Sequence, residues 1–173
     1  MHPDRPRLKI PLETLDYILE FITLTVLIIL WCYAIMKYMS MPDIIPTHFN
    51  LSGEVDGTGS KTSIWFLLGI TTVLAVGIHI LTKYPHIHNY MVEITEKNAA
   101  HNYKMSARLL RFVNLITLLV MSYIAFTVIK SALGETAATG NTLIYVMIAF
   151  GVIMPIILVI YVAKNQKVAT SKK

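Results

Sequence analysis

The chain of 173 residues holds a single cysteine, Cys32, so no internal disulfide braces it. Charge is scarce as well. Asp, Glu, Lys and Arg make up 14% of the residues, against 55% hydrophobic ones. That balance argues against a soluble domain, the class its length would otherwise suit. Several chemical signatures are missing: a Gly-x-Ser-x-Gly elbow, a phosphate loop, a His-Glu-x-x-His pair, and a haem or iron–sulfur cysteine set. No cofactor is implied, and an enzyme is not expected. The last three apolar runs carry no acidic residue deep inside them, which weighs against a proton-coupled pump.

What the chain does have is four apolar blocks, at 18–36, 64–81, 109–129 and 143–162. Each approaches the roughly 20 residues that cross a bilayer core. Backbone polar groups in hydrocarbon must be satisfied within their own segment, so the blocks predict helices. Barrel strands would be about half as long and would alternate apolar with polar residues. The expected fold is all-α and membrane-integral: four transmembrane helices with a structured outer loop between the first two. The expected organisation is an N-terminal arm (1–17), a transmembrane domain (18–162) with an outer loop (37–63) and an inner loop (83–108), and a basic tail (163–173). No small-x-small site follows the first block, where the sequence reads Trp31-Cys32-Tyr33-Ala34, so a cleaved signal peptide is not expected. Cys32 reads as a small apolar helix residue.

The basic residues set the orientation. Arg5, Arg7 and Lys9 precede the first block. Lys83, Lys97, Lys104, Arg108 and Arg111 lie between the second and third or just inside the third. Lys164, Lys167, Lys172 and Lys173 follow the fourth. Only Lys37, Lys61 and Lys130 fall on the opposite side. Positive residues stay in the cytoplasm, so both termini are expected inside and the first loop outside. The net charge of +5 follows from this asymmetry and calls for no nucleic acid. The expected partners are membrane lipids, with the basic tail touching anionic headgroups, and a homo-oligomer is compatible with the layout. Trp31, Tyr33, Tyr38, Trp65 and Phe66 mark the outer interface, and Tyr17 and Tyr161 the inner one.

The outer loop is long, polar and rich in turn residues. Pro42 and Pro46 bias Met41 and Ile45 toward extended backbone. Ser52-Gly53 and Asp56-Gly57 are turn signals, and Thr62 or Ser63 suits a helix cap. Ile44, Ile45 and Phe49 give the loop an apolar side. His48, Asn50, Glu54 and Asp56 form its sharpest cluster. An imidazole with carboxylates, His48 with Asp56 above all, is a reasonable divalent-metal set. The competing reading has Asn50, Ser52 and Asp56 building turns through side-chain-to-backbone hydrogen bonds.

Other candidates lie at the inner side. His79, His86 and His88 match no zinc spacing. Arg111 and Asn114 share a face near the start of the third span. Arg111 is expected to snorkel to the interface and Asn114 to bond a neighbouring helix. Glu20 is placed to pair with Arg108 or Arg111. A helix start is expected near Thr95, ahead of the third span. Gly151 and Pro155 predict a kink in the fourth, since the proline ring meets the carbonyl of Gly151. Packing and a hinge are both open as its role.

Pro42-Asp43-Ile44-Ile45-Pro46-Thr47-His48-Phe49-Asn50, then Gly53-Glu54-Val55-Asp56 and Ser60-Lys61, resembles a bacterial membrane domain of unknown function that forms the N-terminal part of SdpI-type immunity proteins. Glu96, Asn98 and Tyr103 are similar to a weaker pattern of that family. The resemblance implies a shared element containing His48, Phe49, Asn50, Gly53, Asp56 and Lys61, and a role in protection against a secreted peptide toxin or in signalling. It covers the first half of such proteins, because a Gly-Ile-Arg-Thr-like segment of the second half is absent here. The leading expectation is therefore a non-enzymatic protein of the bacterial cytoplasmic membrane. Its ligand-binding loop would use His48, Phe49, Asn50, Glu54, Asp56 and Lys61 toward a secreted peptide or envelope partner. The alternatives are a small metal-dependent membrane enzyme built on His48 and the loop carboxylates, or a transporter subunit.

Overall fold

A computed structural model describes residues 5–50, 52–135 and 142–168. Lys172 and Lys173 of the expected basic tail, and most of the connector before the fourth apolar block, lie outside the described residues. The elements run α1 (Thr14–Tyr38), β1 (Ile44–Phe49), β2 (Val55–Ser60), α2 (Ser63–Leu81), a single 3-10 turn (Pro85–Ile87), α3 (Glu96–Ala132), α4 (Thr142–Ile148), a π-helical turn (Ala149–Ile153) and α5 (Met154–Asn165).

Three helices, α1, α2 and α3, are long and apolar enough to cross a membrane. Their surfaces argue the same way. Phe21 is 71% exposed, Phe66 76% and Val73 69%, and many other large apolar side chains of α1 and α2 point outward. A water-soluble monomer rarely leaves such continuous apolar faces uncovered. Three hydroxyls of α1 and α2 bond carbonyls of their own helices. Thr23 donates to the Leu19 carbonyl at 2.7 Å, Thr71 to Leu67 at 2.7 Å and Thr72 to Leu68 at 2.8 Å.

The helix starts follow from local chemistry. Glu13 and Asp16 form a reciprocal capping box at α1, and Thr95 and Asn98 form one at α3. The helix therefore begins at Thr14, inside the stretch expected as an arm, and α3 begins more than a dozen residues ahead of its apolar block, as the run of helix formers there predicts. Pro85 opens the 3-10 turn just past the end of α2.

α3 is the spine. It packs along both α1 and α2, which touch each other less. One core sits where α1, α2 and α3 meet the hairpin, built from Leu30, Ala34, Ile64, Leu68, Ala125 and Ile129 with Met41 and Ile45. Trp31 and Trp65 stack 6.0 Å apart beside it, Tyr38 closes on Trp65 at 4.7 Å, and Trp31 Nε1 donates to Thr72 Oγ1 at 3.0 Å. A smaller core of Ile94, Ala99 and Tyr103 lies at the opposite end.

The all-α expectation needs one correction. The connector between α1 and α2 is an antiparallel β-hairpin, β1 with β2. Isoleucine, valine and threonine around two prolines and alternating glycines favour extended backbone over helix, and the alternation buries Ile45 while Ile44 faces out. The expected irregularity in the fourth block takes the form of a π turn. Pro155 lacks the N–H that would bond the Gly151 carbonyl and its ring would crowd that carbonyl. The backbone widens over Ala149–Ile153, and the Met154 N–H reaches five residues back to the Ala149 carbonyl.

Candidate functional site

The hairpin is fixed to the helix bundle through its apolar side. Ile45 is 1% exposed and Met41 3%, both within the core shared by the three helices. Burying one isoleucine side chain contributes about 1.5–3 kcal/mol. Phe49 packs against the same core. Lys61 clamps the base. Its ammonium lies 3.0 Å from the Asp43 carboxylate, 3.5 Å from the Met41 carbonyl and 5.4 Å from the centre of the Tyr38 ring.

The tip is built by Asn50. Its Oδ1 accepts from the backbone N–H of Ser52 at 2.8 Å and of Glu54 at 3.0 Å, and its Nδ2 donates to Glu54 Oε2 at 3.0 Å. The Asn50 N–H donates to the Glu54 carbonyl at 2.8 Å. Gly53 takes φ +78°, a left-handed conformation that glycine adopts without steric cost. Asn50 thus builds the turn through its side chain, as the competing reading had it for Asn50, Ser52 and Asp56; Glu54 joins it, while the Asp56 side chain bonds His48 instead.

His48 and Asp56 remain. The ladder pairs His48 with Gly57 and Phe49 with Val55, with register irregularities on both sides of His48. A bulge of this kind re-aims a side chain. A Cβ on Gly57 would stand 2.9 Å from His48 Cβ, so only glycine lets the two strands approach there. The result brings His48 Nδ1 to 2.5 Å from Asp56 Oδ1, with both side chains open to solvent, 72% and 43% exposed. The hydrogen bond from Nδ1 to the carboxylate holds the ring and leaves the other ring nitrogen, Nε2, outside the pair. Ile44 and Val55 add exposed apolar surface to the same hairpin. Among the described residues no three His, Cys, Asp or Glu side chains converge as metal ligands would. The pair supplies two donors at most.

The inner-side candidates form a second polar assembly. Arg108 donates from Nε and Nη2 to the two oxygens of Asp16, each at 3.0 Å, and from Nη2 to Glu13 at 2.7 Å; Lys104 also contacts Glu13. Arg111 Nε donates to Glu20 at 2.8 Å and its Nη1 lies 3.6 Å from Asp16. Arg111 is only 7% exposed. It does not snorkel, because two carboxylates of α1 meet it inside the bundle. Asn114 bonds a neighbouring helix as expected, Nδ2 to the Ala75 carbonyl at 3.0 Å. Hydrogen bonds from Lys104 and Arg108 hold the Glu13 carboxyl below the usual carboxylate range. His88 is not a metal ligand here. Its Nε2 donates to the Leu81 carbonyl at 2.9 Å, its Nδ1 accepts from Ser106 at 2.7 Å, and burial pushes its pKa down.

A polar seam beside this assembly was not legible as such. Asn98 and Asn102, four residues apart on α3, both donate to the Lys167 carbonyl, at 2.9 and 3.0 Å, and Asn102 Oδ1 accepts the Lys167 N–H at 3.0 Å. Tyr103 donates to the Pro6 carbonyl at 2.9 Å, and Arg5 to the His88 carbonyl at 2.6 Å. Asn98 and Tyr103 carried a signal only through the family resemblance. The i, i+4 spacing of the two asparagines was the one physical clue available.

The hairpin also lies within a stretch that matches a known family. Residues 25–72 match the family described as Domain of unknown function (DUF1648). The match runs from mid-α1 through the whole hairpin to mid-α2. The chain is also 32% identical over 73 residues to an uncharacterized protein of Archaeoglobus fulgidus, a stretch covering 42% of this chain and 40% of that one. The chain thus spans less than half the length of that relative. No solved structure matches.

Proposed function

We propose that this is a four-span membrane protein whose hairpin stands outside the cytoplasmic membrane as a non-enzymatic recognition element for a secreted peptide or an envelope partner. The observation that carries the reading is the division of labour in the hairpin. Phe49 and Lys61 fasten it, Asn50 and Glu54 shape it, and His48 with Asp56 is left exposed on a rigid support. A fixed donor–acceptor pair beside exposed Ile44 and Val55 suits an extended peptide better than it suits a reaction, since no third group joins the pair as metal ligand among the described residues. The unpaired edges of a two-stranded sheet also offer backbone groups to an incoming strand.

Two features support the placement. The basic residues concentrate at the end opposite the hairpin. Residues 142–165, counted through the π turn, form a helical run of about 36 Å at 1.5 Å per residue, enough for a fourth crossing. Both termini then lie in the cytoplasm. An SdpI-like role in immunity or signalling is the finer form of this proposal.

The test is a strain lacking this protein, complemented with the unaltered chain, His48→Ala or Asp56→Ala, and challenged with envelope-active peptides. Protection by the unaltered chain and its loss in both variants, at equal membrane levels, is the expected result. Equal protection by all three removes the hairpin from the function. Thr58→Cys in a Cys32→Ser background should be labelled by an impermeant maleimide in intact cells, and labelling only after lysis would reverse the orientation.

A further inference from the structure

Two cavities of about 420 Å³ each adjoin at the end opposite the hairpin, and their contrast has a chemical meaning. The first opens between α1 and α2 on the side of the apolar helix faces. Phe21, Leu24, Leu27 and Val76 supply its walls. The second lies beyond the helix ends, under the N-terminal arm, where Lys9, Lys83, Lys104 and Asp16 contribute to the lining. The two share Glu20, His79, Thr82 and Arg111 as a common wall. An apolar chamber thus joins a charged one across a single buried arginine.

The charged chamber is positive. Its four cations, Lys9, Lys83, Lys104 and Arg111, face two carboxylates, Asp16 and Glu20. Adding the neighbours Arg108 and Glu13 leaves the excess unchanged. Lys104 and Arg111 are already committed to carboxylates of the α1 region. Lys9 and Lys83 are the exposed cations at the mouth. Under the membrane placement proposed above, the apolar chamber lies in the hydrocarbon of the cytoplasmic leaflet and the charged chamber at its headgroup level.

We propose that the paired chambers bind an anionic phospholipid of the cytoplasmic leaflet, its phosphate beside Lys9 and Lys83 and one acyl chain along Phe21, Leu24 and Leu27. Charge and apolarity are arranged in the order in which such a lipid presents them. A neutral lipid would satisfy only the apolar half, and a free anion only the charged half. The site is independent of the hairpin and does not depend on the hairpin's ligand.

The test uses the full chain in detergent, titrated with phosphatidic acid, phosphatidylcholine of the same acyl chains, or inorganic phosphate, and read by native mass spectrometry. Phosphatidic acid should remain bound where phosphatidylcholine is lost. Lys9→Gln with Lys83→Gln should weaken phosphatidic acid about tenfold or more, given the usual contribution of basic residues near an anionic headgroup. Leu27→Trp, which fills the apolar chamber and leaves every charge in place, should also displace the lipid. Lys97→Gln, at an exposed lysine on α3 that lines neither chamber, should leave binding unchanged. Equal retention of both lipids overturns the proposal. So does a loss in Lys97→Gln equal to that in the double variant, which would mark a diffuse basic surface. Competition by millimolar inorganic phosphate as effective as by lipid would reassign the site to a free anion.

Discussion

The two ends of the bundle are held by opposite means. At the hairpin end, the polar bonds that shape the tip are local: Asn50 to Ser52 and Glu54, and His48 to Asp56, lie within eight residues, while Lys61 to Asp43 and Met41 and Trp31 to Thr72 reach further. Long-range cohesion there is mostly apolar, through Ile45, Met41 and Phe49. At the far end the polar bonds span the chain. Asp16 meets Arg108, Glu20 meets Arg111, Pro6 meets Tyr103 and Asn102 meets Lys167. The hairpin end is a small folded module resting on a greasy seat, with its polar chemistry turned outward. The far end is a knot whose buried polar chemistry is consumed in holding α1, α3 and the segments at Pro6 and Lys167 together, with only exposed cations such as Lys9 and Lys83 left over. Polar residues free to meet a partner are therefore richer at the hairpin, and polar residues needed for stability are richer at the knot.

That contrast is broken most forcefully at Arg111. Arg111→Ala leaves Glu20 and Asp16 facing a partner that no longer exists, and removing one member of a buried ion pair costs about 3–5 kcal/mol. Thermal unfolding in a fixed detergent should show the largest loss of any substitution discussed here. A loss as small as that of a surface charge would mean water already screens the cluster. Asn102→Leu should come next. It strands the backbone N–H of Lys167 and removes one of two donors to its carbonyl, at about 1–3 kcal/mol for buried groups left unpaired. Faster proteolysis of the segment after α5, with the membrane helices intact, is the check.

The same contrast explains what the sequence could say. Everything at the hairpin is near in the chain, so Pro46, Gly53 and the Asn50 to Asp56 stretch announce a structured turn. Strand pairing was missed because the loop was read from its turn residues; the β-branched run Ile44–Ile45 and Thr47 opposite Val55, Gly57 and Gly59 was the available signal. The apolar helices were legible from block length alone, and so was the early start of α3. The knot was legible only in part: Glu20 was expected to pair with Arg108 or Arg111, and it meets Arg111. Which of the two arginines it takes, and that Asp16 meets both, depends on how α1 lies against α3, roughly ninety residues apart in sequence, and nothing in either segment states that register. Arg111 therefore read as an interfacial residue reaching for water, when α1 supplies its partners inside.

Gly57→Ala sharpens the comparison from the hairpin side. The added methyl would sit 2.9 Å from His48 Cβ, so the strands must separate. Forcing extra atoms into a close contact costs about 1–3 kcal/mol. The expected outcome is loss of the His48–Asp56 contact and of protection, with little change in the unfolding of the helices. If both change together, the hairpin is not the separate module described here.

Acidification should loosen the knot in two stages. The folded pKa of His88 is held below its ordinary value of 6.5, chiefly by burial, so its neutral form contributes fully above that pH. The contribution is lost as pH falls from 6.5 through the lower folded value, when the ring must take a second proton between Ser106 and Leu81. Glu13 is likewise held below 4.5 by hydrogen bonds from Lys104 and Arg108, so its contribution persists above 4.5 and is lost as pH falls below it. Hydrogen exchange across 84–95 should therefore rise first and exchange at the start of α1 second. The reverse order would contradict the assignment of these two groups.

The smallest expected change in stability belongs to His48→Ala. The ring is largely solvated and its partner Asp56 is an exposed carboxylate, so unfolding should move by no more than about 0.5 kcal/mol, as for other surface substitutions. Protection should nevertheless be lost. A residue that costs little to remove and much to lack is the signature of surface kept for a partner. His48→Asn separates ring from hydrogen bond: its amide can donate to Asp56 but presents no second ring nitrogen beyond. Retained protection in His48→Asn would place the recognition in the Asp56 contact and the hairpin's shape, while loss in both variants would assign it to the outward nitrogen of the imidazole.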